Sequence, residues 1–230
     1  MNKAISFSLF GDNSKYLIGA IKNAELAKDL MPDWDCRFYY DSSVPVWCLD
    51  KLKSMDNVSL HYLENYPYPM TTARFLAFQD ADIVICRDVD DRLSYRGLVA
   101  VTEWLESGLD FHIIKDHPEQ HRTLILAGMW GGRGEALRNI TELLQEYYSK
   151  PRVIERNSDQ EFLDEMVYYP IAIYSTLYHS EHYTQRILGD SRVVAFSTPD
   201  HFPNNHIGMN LDENDRFVYE FGNKEYIKDF

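Results

Sequence analysis

An apolar run, Asp82-Ile-Val-Ile-Cys-Arg87, leads directly into Asp88-Val-Asp90-Asp91-Arg92, so three carboxylates fall within four residues. Like charges set that close raise one another's proton affinity unless solvent or a cation relieves them. Hard carboxylate oxygens suit Mg2+ or Mn2+, which usually holds a diphosphate at the same time. Open α/β sheets bind ligands just beyond the carboxyl ends of their strands, which is where these carboxylates would fall. A bare Asp-x-Asp is ordinarily an acidic surface turn. Its position straight after a hydrophobic strand turns the balance towards a site. A helix-loop-helix calcium site is excluded by register, because its required Gly would fall on Leu93 and its bidentate Glu on Val99.

Other polar residues stand where chemistry is conceivable. Asp116-His117-Pro118 follows a predicted strand, where polar side chains can line a ligand site. Asp159-Gln160 opens a predicted helix. There Asp159 is placed to cap the helix N-terminus. His179 and His182 are three residues apart with no evident third ligand, and read as surface residues. The glycines Gly131, Gly132 and Gly134 form no GxGxxG after a strand, and no Walker lysine accompanies them. A Rossmann or P-loop site is therefore excluded.

The elements that must position these groups follow from periodicity. Ile5, Phe7 and Leu9 alternate as in a strand. Leu17, Ile18, Ile21, Ala24, Ala27 and Leu30 then recur at helical spacing behind the turn and cap residues Gly11 to Ser14. Strands are expected at 37–40, 58–62 and 82–86, with helices at 46–53 and 71–79 between them. Four strands alternating with helices in ninety residues imply βαβ units and a mostly parallel sheet. Further on, the pattern predicts helices at 93–107, 135–148 and 159–167, strands at 111–114, 171–174 and 193–196, and a Gly-rich segment at 128–134. The tail from Leu211 reads as a last strand or a frayed end.

Composition bounds the function. The 230 residues carry 23 Lys+Arg against 36 Asp+Glu, a net charge of −13, and 45% are hydrophobic. That acidity argues against a nucleic-acid partner, which needs a field of Lys and Arg. It permits a nucleotide if a metal ion or a few arginines supply positive charge. Cys36, Cys48 and Cys86 are odd in number and lack CxxC spacing, so neither a disulfide framework nor a zinc site is indicated. No stretch approaches the ~18 apolar residues of a membrane span. A single cytoplasmic domain is expected.

Several segments together resemble one family. Ser6-Phe-Ser-Leu-Phe-Gly11 with Tyr16, Thr71-Thr-Ala-Arg-Phe75, Asp88-Val-Asp90, Lys115-Asp-His-Pro118, Ala127-Gly-Met-Trp-Gly-Gly132 and Ser158-Asp-Gln-Glu-Phe-Leu163 occur in its order and spacing. They resemble the GT-A-fold, DxD-containing glycosyltransferases, in particular the small ones encoded by large chlorella-infecting viruses, which decorate the capsid protein. The resemblance spans about residues 5 to 210. It implies one α/β domain over 1–230, with a mostly parallel central sheet flanked by helices and a small antiparallel C-terminal part. A nucleotide-sugar half would occupy about 1–92 and an acceptor half about 93–215.

The activity implied is Mn2+- or Mg2+-dependent transfer of a sugar from a UDP-sugar to a glycan or glycoprotein in the host-cell cytoplasm, with retention favoured over inversion. Donor-binding residues would be Leu9, Phe10, Gly11, Arg74 and Asp88, with Phe10 stacked on uracil. Metal ligands would be Asp88, Asp90 and a C-terminal histidine, His206, with His201 as runner-up. Acceptor contacts would come from His117, Gly128 and Trp130, the last stacking on a sugar face. Catalytic carboxylates would be Asp159 and Asp116. Two other classes compete. A sugar-nucleotide nucleotidyltransferase would want a Gly-rich, Arg- or Lys-bearing N-terminal loop, whereas Ser8 to Ser14 holds one glycine and no arginine. A non-catalytic nucleotide-sugar or glycan-binding module would also use the aromatic content.

Overall fold

The computed structural model describes residues 1–118, 120–151, 157–181, 188–199, 206–221 and 224–228. Eight strands form one sheet: β1 (Lys3–Leu9), β2 (Asp35–Tyr40), β3 (Val58–Tyr62), β4 (Ile83–Arg87), β5 (Phe111–Lys115), β6 (Met129–Arg133), β7 (Thr176–Ser180) and β8 (Arg192–Val194). Their order is β3-β2-β1-β4-β6-β5-β7-β8. The first four run parallel, as the alternation of strands and helices predicts. β6 runs antiparallel to both β4 and β5, and β5, β7 and β8 are parallel to one another. A separate antiparallel hairpin, β9 (Phe217–Phe221) and β10 (Lys224–Lys228), follows.

Helices cover both faces, which is why central strands such as β1 and β4 are buried at nearly every residue. On one face α1 (Ser14–Leu30), α2 (Val46–Lys53) and α3 (Tyr95–Ser107) pack Leu17, Leu52 and Trp104 around Phe7 and Phe38. On the other, a 3-10 helix (Met70–Gln79), α4 (Ile140–Ser149) and α5 (Ser158–Phe162) pack Phe75, Phe78, Tyr147 and Phe162 around Trp130. Among the described residues no helix is long and apolar enough to cross a membrane.

The differences from the predicted elements have physical causes. The 71–79 helix is a tight 3-10 segment because its backbone is drawn onto β1. Ser6 Oγ donates to the Arg74 carbonyl at 2.5 Å, and Ser8 Oγ to that of Thr71 at 3.3 Å. The glycine-rich stretch is strand β6, where a Cβ on Gly131 would collide with the Val84 carbonyl and one on Gly132 would crowd the rings of Phe78 and Phe111. The expected strand at 171–174 is instead a 3-10 turn (Ala172–Tyr174), and pairing begins at Thr176 opposite Phe111. Apolar residues occupy both windows, so they could not choose between them.

The 135–148 helix is divided between a 3-10 turn (Gly134–Leu137) and α4, and the 159–167 helix passes from α5 into a π-helical turn (Leu163–Tyr168). His179 is not a surface residue. It is fully buried on β7, an interior strand, and bonds His112 at 2.9 Å and Glu103 at 2.6 Å. His182 lies outside the described residues.

Candidate functional site

At the carboxyl ends of β1 and β4 the structure opens into a cavity of about 350 Å³. Ser8 and Phe10 reach it from β1, Asp88 and Asp90 from the loop after β4, Arg74 from the 3-10 helix and Asp159 from α5. Arg74 is the hub. Its guanidinium is buried, pairs through Nη1 with Asp88 and through Nη2 with Asp159 at 2.8 Å, and also donates to the Arg87 carbonyl at 3.4 Å. Burial disfavours its charge, but the two carboxylates outweigh that and raise its pKa. Its main chain is fixed as well, the N–H donating to Ser8 Oγ at 3.0 Å. One rigid cation thus stands between two carboxylates inside a cavity.

The acidic loop is held from α1. Lys15, Gly19 and Asn23 recur every fourth residue, hence on one face, and all three meet the loop. Lys15 Nζ is 3.1 Å from Asp90 Oδ2. Gly19 lies so close to the Val89 carbonyl that any Cβ would collide with it. Asn23 donates to the carbonyls of Val89 (3.2 Å) and Asp91 (2.7 Å) and accepts from Leu93 N–H at 2.9 Å. Arg92 braces the far side, donating to the Val89 carbonyl at 3.2 Å and to the Asp212 carbonyl at 3.0 Å. Burial and the neighbouring Asp88 push the Asp90 carboxyl up, against the pull of Lys15. Burial pushes Asp91 up to about 8.

The other expected residues separate into those the fold brings here and those it uses elsewhere. Phe10 lines the cavity and is 40% exposed, so its ring face is available. Leu9 points into the core, and Gly11, at φ +78°, turns the chain and donates its N–H to Ser43 Oγ at 2.6 Å. Gly128 lines the cavity and is required there, since a Cβ would fall on the Asp88 carboxylate.

Trp130 corrects an expectation. It is fully buried in β6, stacked on Phe78 at 5.1 Å between centroids, and no sugar can reach it. Asp116 corrects another. Both its oxygens are taken by Arg96, at 2.9 and 2.7 Å, and Oδ2 also accepts from Ile207 N–H at 2.9 Å. With its side chain 3% exposed, it is a buried structural anion and not an acid or base of the cavity.

His206 is buried, its ring 4.7 Å from that of His117 and 5.6 Å from that of His121. His117 Nδ1 accepts from Gln120 N–H at 3.0 Å, and it is His121 whose side chain faces the cavity. Burial and the neighbouring imidazoles hold His121 down at about 3. Among the described residues no three His, Cys, Asp or Glu side chains are gathered to hold a metal, so the expected third ligand is not in place. His201 lies outside the described residues. Asp88 and Asp90 nevertheless fit a hard divalent ion, because Mg2+-type sites commonly use one or two carboxylates and complete their shell with water and phosphate. Sequence reasoning missed Lys15, Asn23 and His121. Two polar residues and a glycine on the sheet-facing side of α1 were the available signal.

No family model and no characterised protein sequence matches the chain. Solved structures match it in fold. Mannosyltransferase PcManGT from Pyrobaculum calidifontis, in complex with GDP-Man and Mn2+, is similar with a TM-score of 0.52 at 9% identity, over 87% of this chain and 58% of that one. The fold is of the GT-A type. Galactosyltransferase LgtC, in complex with donor and acceptor sugar analogs, is similar at a TM-score of 0.46 and 15% identity, over 78% of this chain and 73% of that one. S. aureus TarS 1-349 is similar at 0.47 and 16%, over 70% and 54%. The chain therefore spans little more than half the length of TarS 1-349 and PcManGT.

Proposed function

We propose that the chain is a metal-dependent glycosyltransferase that uses a nucleotide-sugar donor. The observation that carries this reading is the convergence of Arg74, Asp88, Asp90 and Asp159 in one cavity at the strand ends. Asp88 and Asp90 would hold Mn2+ or Mg2+, which supplies positive charge to a departing nucleoside diphosphate. Arg74 adds a preorganised cation beside them, and such fixed charge is commonly the largest catalytic contribution. Phe10 offers a ring face to the base, and the donor is read as a UDP-sugar. Asp159 faces the cavity with its carboxylate anchored by Arg74, positioned to stabilise positive charge at the anomeric carbon. That role suits transfer with retention, in which the leaving phosphate takes the acceptor's proton. The acceptor is read as a glycan or glycoprotein, the capsid-protein glycan following from the resemblance alone.

Turnover tests the reading. The protein incubated with Mn2+ and a panel of UDP-sugars should release UDP, and Asp90→Ala should lose Mn2+-dependent UDP binding in calorimetry. Measurable UDP binding without release from any donor would leave a binding module instead. Unchanged binding in Asp90→Ala would remove the assigned metal site.

A further inference from the structure

The lysine in the first turn of α1 is out of place by the usual rules. The positive end of the helix dipole disfavours a cation there, and burial of an ammonium costs more unless it is paired. Lys15 is nonetheless 5% exposed along its side chain, and its Nζ lies 3.1 Å from Oδ2 of Asp90, itself 11% exposed. The two loop carboxylates are thus each matched to a cation of the protein, Asp88 to Arg74 and Asp90 to Lys15.

These cations differ in chemistry. Arg74 is committed to Asp88, Asp159 and the Arg87 carbonyl at once. Lys15 is a compact charge on a flexible four-carbon stem. Its Nζ is already 5.0 Å from the ring centroid of Tyr16, which lines the same cavity and offers a π-face to a cation leaving the carboxylate. The loop itself does not depend on the ion pair, since Asn23 and Arg92 hold its backbone.

Resting on the metal-dependent reading above, we propose that Lys15 is an exchangeable counter-cation: it neutralises Asp90 in the metal-free protein and is displaced when a divalent ion enters, so it sets the affinity for that ion. The metal is not admitted to a bare carboxylate pair. It competes with a tethered ammonium.

Mn2+ binding to the full chain tests this, with free Mn2+ read by electron paramagnetic resonance for wild type, Lys15→Met, Lys15→Arg and Asp90→Asn. Removing the competing charge should tighten Mn2+ binding about tenfold in Lys15→Met, a modest share of a unit charge's influence at this range. Lys15→Arg keeps a cation and should show no gain. Saturating Mn2+ should also raise the unfolding temperature more in Lys15→Met than in wild type, because the variant leaves Asp90 unpaired until the ion arrives. Lys15→Gln, which keeps a hydrogen bond to Asp90 without the charge, should behave as Lys15→Met and serves if that variant does not fold. Wild-type binding that Asp90→Asn abolishes, but that the neutral variants leave equal or weaker, overturns this inference alone. Absence of Mn2+ binding by wild type, with and without UDP, overturns this inference together with the metal-dependent reading.

Discussion

Arg74 shows how much of a site can hang on one side chain, because the same guanidinium orients the loop carboxylate Asp88 and the α5 carboxylate Asp159. Gly128 is the silent partner of that arrangement. With hydrogen alone on its Cα it lets Asp88 stand against the backbone, where a methyl group would occupy the carboxylate's position. Gly128→Ala should therefore cost about 1–3 kcal/mol, as overpacking does, and should weaken nucleotide binding by turning Asp88 away from Arg74. Denaturant unfolding and calorimetry read the two effects separately. The acidic loop after an apolar strand marked Asp88 and Asp90 as candidates by their types, whereas Arg74 and Asp159 were singled out only through the family resemblance. Asp116 and Trp130 misled. Residue type does not say whether a carboxylate is already taken by an arginine twenty positions away, or whether an indole faces a ligand or Phe78.

Helix α1 carries two jobs on one cylinder. Leu17, Ile21 and Ala24 face the core, while Lys15, Gly19 and Asn23 form an adjoining buried stripe against the acidic loop. The apolar stripe was readable from its period. The polar one was not, because a buried lysine or asparagine looks like a solvent-facing residue until its partner's position is known. Asn23 supplies three hydrogen bonds to main-chain groups of the loop. Asn23→Ala would leave the Leu93 N–H without its acceptor and the Val89 and Asp91 carbonyls to Arg92 alone, at a cost of about 1–3 kcal/mol. It should loosen the loop, so protection of the Leu93 amide in hydrogen exchange should fall along with stability. Protection unchanged from wild type would mean that Arg92 alone suffices to hold the loop.

At the scale of the molecule, the parallel sheet with helices on both faces was legible from the alternation of elements, whereas the antiparallel insertion of β6 was not. Glycines that let two strands close on a third give no periodic signal. The same interior carries a pH dependence. Glu103 can only accept, so His179 donates to it from Nε2 and receives the His112 Nε2–H at Nδ1, leaving His112 Nδ1 bare among the described residues. Burial, with the neighbouring His179 and Arg87 opposing a second positive charge, holds His112 well below its ordinary value of 6.5. The unfolded chain takes up a proton below about pH 6.5 that the folded chain refuses, so stability falls as pH drops through that value.

Asp91 and Asp164, both pushed up mainly by burial, act with the opposite sign, which makes a difference measurement the clean one. Wild type should lose about 1 kcal/mol more than His112→Gln between pH 6.5 and 5.5 in denaturant unfolding. The hub described first has a consequence in time as well. Arg74 reaches 85 residues along the chain to Asp159, and the Asp90 carbonyl is met by Leu211 N–H at 2.8 Å from beyond the last strand of the main sheet. Contacts that distant form late. A chain ending after the first four strands would lack Asp159, Asn210 and the other cavity-lining residues beyond them, so competence to bind should arrive only once the C-terminal residues have folded back.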